Sequence, residues 1–94
     1  MDRFFYILAY DISNDKRRTK IAKLMESSGT RVQGSVFEAW FSPKELDKVV
    51  QRSKRILVDK EDSLRVYFLC EDCRKKVSLY GKGKVTEKPG LVII

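Results

Sequence analysis

Asp11 is the residue of this chain whose type and position most suggest chemistry. It follows the apolar run Phe4-Phe5-Tyr6-Ile7-Leu8-Ala9-Tyr10 and precedes the polar stretch Ser13-Asn14-Asp15. An apolar run of this kind reads as a strand, and open sheets usually hold ligands at the C-terminal ends of their strands. A carboxylate there suits a hard divalent cation. Magnesium commonly takes one or two protein carboxylates and completes its shell with water or substrate phosphate. One aspartate falls short of that site, but a second copy related by a twofold axis would supply another. The competing reading is an Asx turn, in which Asp11 bonds the backbone amides that follow it.

Basic residues crowd the segment after Asp11. Lys16, Arg17, Arg18, Lys20 and Lys23 fall in the first half of a helical pattern, where the helix dipole disfavours cations by about 0.3–1 kcal/mol each. Unpaired amides at a helix start attract phosphate, so basic side chains there can join the backbone in holding a polyanion. A solvated face compensated by Asp15 is the plainer alternative. Arg31, Gln33, Arg65, Arg74-Lys75-Lys76, Lys82, Lys84 and Lys88 would extend a positive surface that grips phosphates with little sequence choice.

Other chemistries are excluded by composition. The chain has no histidine, which removes imidazole as base, nucleophile or metal ligand. It also lacks a Walker phosphate loop, a dinucleotide-binding glycine fingerprint and a nucleophile elbow. Cys70-Glu71-Asp72-Cys73 has the spacing of half a zinc site, yet zinc wants four ligands. The acidic residues between the sulfurs are expected to raise the thiol pKa values, and Cys70 is expected in the core.

The elements that would position these residues follow from pattern. Phe4 to Ile12 predicts a strand. Ser13, Asn14 and Asp15 offer N-caps for a helix with Ile21, Leu24, Met25 and Ser28 on one stripe, stopped at Gly29. Thr30 to Phe41 predicts two short strands joined at Gly34-Ser35. Ser42-Pro43-Lys44-Glu45 is a capping box with proline at the first helical position, opening a second helix with Leu46, Val49, Val50 and Leu57 inward. A polar turn at Asp59 to Asp62 leads into an inner strand over Leu64 to Cys70. Lys76 to Tyr80 predicts a further short strand, residues 81–90 a loop, and Leu91 to Ile94 a last strand.

This order predicts one α+β domain over residues 1–94, a ferredoxin-like βαββαβ sandwich with residues 81–94 as a C-terminal loop and strand extension. Two helices cover one sheet face. The other face is expected to carry aromatic side chains among Phe5, Tyr6, Tyr10, Phe37, Trp40, Tyr67 and Phe68, and the apolar tail could pair with a sheet edge, so a homodimer is expected. At 94 residues the chain suits one core, and 20 Lys and Arg against 13 Asp and Glu give a net charge of +7. Such an excess favours nucleic acid as partner. No run reaches the roughly 20 apolar residues of a membrane span, no signal-peptide pattern opens the chain, and two cysteines make no disulfide framework, so a cytoplasmic protein without membrane contact is expected.

Tyr10-Asp11-Ile12, Arg18 seven residues after the aspartate, and Arg31-Val32-Gln33-Gly34-Ser35-Val36-Phe37-Glu38 together resemble the small CRISPR-associated spacer-adaptation proteins of the Cas2 family. The resemblance implies a ferredoxin-like homodimer with Mg2+ between two facing Asp11 side chains. It further implies metal-dependent cleavage of single-stranded RNA or duplex DNA in some members, and work with a CRISPR integrase subunit that inserts spacers. Carried onto this chain, Asp11 would bind metal, Tyr10 and Phe37 would complete the catalytic site, and Arg17, Arg18, Lys20 and Arg31 would hold nucleic acid. Lys20 keeps the charge of an arginine but loses its bidentate phosphate geometry. Gly34 stands where an aromatic residue is common.

Three functions therefore compete: a magnesium-dependent endonuclease, a non-catalytic architectural DNA-binding dimer, and a module that binds RNA on its sheet face.

Overall fold

A computed structural model describes residues 2–83 and residue 86. The chain forms β1 (Phe4–Asp11), α1 (Asp15–Glu26), β2 (Thr30–Gln33), β3 (Val36–Phe41), α2 (Pro43–Ile56), β4 (Ser63–Leu69) and α3 (Glu71–Lys75). The four strands make one antiparallel sheet in the order β2-β3-β1-β4. With α1 and α2 on one face, this is the expected ferredoxin-like α+β arrangement.

Local sequence fixes the helix starts. Asn14, of the three candidates, caps α1 by accepting from the Arg17 backbone N–H at 3.0 Å. Ser42 and Glu45 close the capping box reciprocally, at 3.2 Å from the Glu45 N–H to Ser42 Oγ and 2.8 Å from the Ser42 N–H to Glu45 Oε1. Gly29 ends the α1 turn beside β3, where a Cβ would meet the Glu38 carbonyl oxygen at 2.8 Å. Gly34 turns β2 into β3 with φ near +40°, a conformation glycine adopts without steric cost.

Strand alternation divides the sheet residues between two faces. Tyr6, Leu8 and Tyr10 of β1 join Phe37, Ala39 and Phe41 of β3 beneath Ile21 and Met25 of α1 and Val49 of α2, and these form the core. Phe5, Ile7, Ala9 and Asp11 point the other way, opposite Trp40, Glu38 and Val36 of β3 and Leu69, Tyr67, Arg65 and Ser63 of β4.

Several expectations change. Tyr6, Tyr10 and Phe37 face the helices rather than the uncovered side, and Phe68 shares their side at the sheet margin. Phe5 and Trp40 are on the opposite face but are buried, packed edge to face at 5.2 Å. β4 is not an inner strand: among the described residues it pairs only with β1, at the sheet edge. No strand forms at Lys76 to Tyr80. Instead Glu71–Lys75 forms α3, with acidic residues in its first turn and basic ones in its last, the charge order a helix dipole favours. Cys70 is exposed at the N-cap of α3, because the chain leaves the sheet at Leu69. The predicted strand Leu91 to Ile94 lies outside the described residues. No helix among the described residues is long and apolar enough to cross a membrane.

Candidate nucleic-acid interface and metal site

β1 turns Tyr10 into the core and Asp11 out onto the opposite face. Asp11 is exposed, and its carboxylate makes no hydrogen bond or ion pair among the described residues. Its strand partner is Ser63, and Arg65 stands two residues further along the same face of β4. The Arg65 guanidinium reaches the Tyr67 hydroxyl at 3.5 Å, the outer limit of a hydrogen bond. That bond, above all, raises the Arg65 pKa, with a smaller contribution from the Asp11 charge.

The turn after Asp11 is braced by α1. Arg18 Nη1 donates to the Ile12 carbonyl at 3.1 Å and the Ser13 carbonyl at 3.2 Å, while Nη2 pairs with the Asp15 carboxylate. Arg18 therefore fixes the backbone that carries Asp11 while staying partly exposed. Arg17 points elsewhere. Its Nε donates to Asp62 Oδ2 at 2.7 Å and its Nη2 to Asp62 Oδ1 at 3.2 Å, and Glu61 lies 3.6 Å from the same guanidinium. Asp62 also accepts from the Val58 N–H at 2.9 Å, so these bonds hold its carboxyl below the ordinary range, with Arg17 the largest cause.

On the helix side, the rings of Tyr10 and Phe37 stack with centroids 6.2 Å apart, and the Arg31 guanidinium lies 5.2 Å above Phe37. Arg31 is also tied to Glu26 at 2.7 Å. Phe37 is fully buried, so its part is to support Arg31 from below. Tyr10 reaches the floor of a groove of about 600 Å³ whose walls include Arg18, Lys23, Arg31 and Ser35. Lys16, Lys20 and Lys23 are exposed and make no ion pair among the described residues.

The structure thus gathers Tyr10, Arg18 and Arg31 around one groove with Phe37 buried beneath Arg31, puts Asp11 on the opposite sheet face, leaves Lys20 on the exposed side of α1 and takes Arg17 toward the β4 entrance. In sequence Arg65 reads only as one more basic residue. The alternation of Arg65 and Tyr67 in β4 was the signal that both share a face; the β1–β4 register places that face beside Asp11. Glu38 and Trp40 were also missed as contacts for residue 86: Trp40 Nε1 donates to the Thr86 carbonyl at 3.3 Å, and Glu38 accepts from the Thr86 N–H and hydroxyl at 3.2 and 2.5 Å.

Comparison with known proteins agrees with this architecture. Residues 4–77 match the family model for CRISPR associated protein Cas2. A Synechocystis protein named CRISPR-associated endoribonuclease Cas2 3 is 42% identical over 97% of this chain and 99% of its own length. The crystal structure of Streptococcus pyogenes Cas2 superposes with a TM-score of 0.72 at 33% identity, covering 82% of this chain and 99% of that one. A chain in a solved partial Cas6-RT-Cas1–Cas2 complex gives a TM-score of 0.71 at 33% identity, covering 80% and 88% of the two chains. From the fold, the strand-terminal aspartate in its basic surroundings and these likenesses together, the chain belongs to the CRISPR-associated Cas2 family.

Proposed function

We propose that this chain acts in CRISPR adaptation as a homodimer that binds nucleic acid, works with a CRISPR integrase subunit in spacer insertion, and cleaves phosphodiester bonds in RNA or DNA with Mg2+ held by Asp11. The observation that carries the reading is the Asp11 carboxylate itself: exposed, unpaired among the described residues, followed by the turn that Arg18 braces, and on the same sheet face as Arg65 of the neighbouring strand. Its oxygens are the donor type a hard cation prefers. Among the described residues no group of three or more potential ligands gathers, and in this reading a second copy brings its own Asp11 to the ion. The relative named an endoribonuclease and the complex that contains Cas1 support the activity and the partner.

What the ion supplies when bound is an acidic water and neutralisation of charge developing on the phosphate. The chain's residues do the remainder. Lys16, Lys20 and Lys23 are available to phosphates; Arg18 and Arg31 line the groove while keeping their internal partners. Arg65 adds positive charge on the Asp11 face. Tyr10 and Phe37 act through position, as the packed floor that holds β1 and β3 in register beneath Arg31.

The test compares cleavage of single-stranded RNA and duplex DNA, with magnesium and with EDTA, by wild-type protein and Asp11→Asn. Cleavage should require magnesium and fall to background in the variant; equal cleavage by both proteins would overturn the nuclease reading. A second reading, an architectural dimer that positions DNA without cutting it, is favoured by the presence of one carboxylate per chain at the site. It requires Asp11→Asn to support spacer integration at the wild-type level.

A further inference from the structure

Cys70 and Cys73 lie apart from the nucleic-acid groove, and both are free and exposed. Cys70 occupies the N-cap of α3 and Cys73 follows three residues on, so their side chains arise from one turn. Residues at that spacing on a helix lie about 5–6 Å apart at Cβ. A disulfide needs ~3.8 Å there, which a small rotation of an exposed turn can provide.

The two thiols influence each other's ionisation, and their surroundings divide the roles. The backbone and thiol of Cys73 lower the Cys70 pKa, although the Cys70 side chain forms no closed capping bond. The neighbouring Cys70 sulfur, above all, raises the Cys73 pKa. The Asp72 charge opposes ionisation of both sulfurs, as the sequence suggested, but at Cys70 it is the smallest influence and the Asp72 backbone works the other way. A depressed thiol attacks, and its neighbour is positioned to resolve the product. Metal binding fits less well, since no third ligand joins the pair among the described residues. A groove of about 340 Å³ beside Cys70, walled by Arg3, Phe4, Phe5, Trp40 and Phe68, gives a small disulfide room to approach.

We infer that Cys70 and Cys73 form a dithiol–disulfide exchange site for low-molecular-weight disulfides, with Cys70 as the attacking sulfur and Cys73 as the resolving one. The Cys70 thiolate bonds to one sulfur of the incoming disulfide, whose S–S bond breaks and releases one thiolate; that thiolate takes up the proton Cys70 gave to solvent. Cys73 then loses its proton and attacks Cys70 sulfur in the mixed disulfide, releasing the second thiol. Two protein thiols are oxidised and one external disulfide is reduced to two thiols. The next residue, Arg74, holds its guanidinium 5.3 Å over the Trp40 ring, which ties this turn to the sheet.

Oxidised glutathione serves as the probe, with the full chain followed by intact mass and peptide mapping. Wild type should end with an internal Cys70–Cys73 bond and no retained glutathione. Cys73→Ser should stop with one glutathione on Cys70, and Cys70→Ser should react about threefold to tenfold more slowly at neutral pH. Circular dichroism of both variants checks that they fold. The inference is overturned if wild type retains two glutathiones without an internal bond, if both single variants react at equal rates, or if reduced wild type holds zinc through these cysteines.

Discussion

The Arg17 guanidinium grips the Asp62 carboxylate with two hydrogen bonds, at 2.7 and 3.2 Å, across 45 positions of sequence. The Asp62 side chain is 0% exposed and that of Arg17 19%, so the pair joins the start of α1 to the entrance of β4 rather than facing solvent. A residue that sequence assigned to phosphate binding is thus occupied in holding the frame of the site.

Arg17→Ala and Asp62→Asn should each lower the melting temperature, and the double variant should cost less than their sum, because either change removes the same bonds. A thermal double-mutant cycle measures this. The Asp62 pKa is lowered in the folded state, first by Arg17 and then by the Val58 N–H. Its contribution is therefore present above the ordinary carboxylate range and lost as pH falls through the folded value; Asp62→Asn should flatten that part of the stability profile.

Glu45 closes the α2 capping box and receives Arg3 at 2.9 and 3.1 Å, which together hold its pKa at about 2, with Arg3 the largest cause. Stability from Glu45 should be full above pH 4.5, its ordinary value, and fade as pH approaches about 2. Acid titrations of wild type and Glu45→Gln should diverge over that window. Ser42→Ala, which removes the other half of the box, should cost about 1 kcal/mol at neutral pH by chemical denaturation.

Phosphate contact should rest most on cations without an ion-pair partner among the described residues. Replacing Lys16, Lys20 and Lys23 by alanine should weaken duplex binding similarly for unrelated sequences. It should also lower the slope of log affinity against log salt by up to about 0.9 for each lost contact. Fluorescence anisotropy over a salt series measures both. Arg17→Ala at a temperature where it remains folded should change the slope much less.

Phe4, Val66, Tyr67 and Phe68 are 40%, 37%, 46% and 56% exposed along the β1–β4 margin. Covering that margin by a second copy would remove apolar surface from water on both faces of β4. Light scattering should give twice the 11.0 kDa chain mass, and Phe68→Asp should shift the protein toward the single-chain value.

The parts of this molecule legible in sequence are the local ones. Ser42, Pro43 and Glu45 announce α2 within four residues, and the apolar run ending at Asp11 announces β1 and places a carboxylate at its end. The sidedness of that strand is hidden, because Phe4 to Tyr10 is apolar at every position and period-two alternation cannot show. Only pairing with β3 and β4 reveals that Tyr10 is core and Asp11 is not. The Arg17–Asp62 clamp and the approach of Arg65 to Asp11 depend on chain segments brought together from far apart. The α3 turn is not legible in sequence because five residues carry little periodicity, although its acidic start and basic end are there.

Titration calorimetry with Mg2+ tests the proposed sharing of one magnesium by two Asp11 side chains across a dimer. One ion should bind per two chains, with no measurable binding by Asp11→Asn of unchanged dimeric mass. Binding of one ion per chain, or undiminished binding by Asp11→Asn, would rule the shared site out.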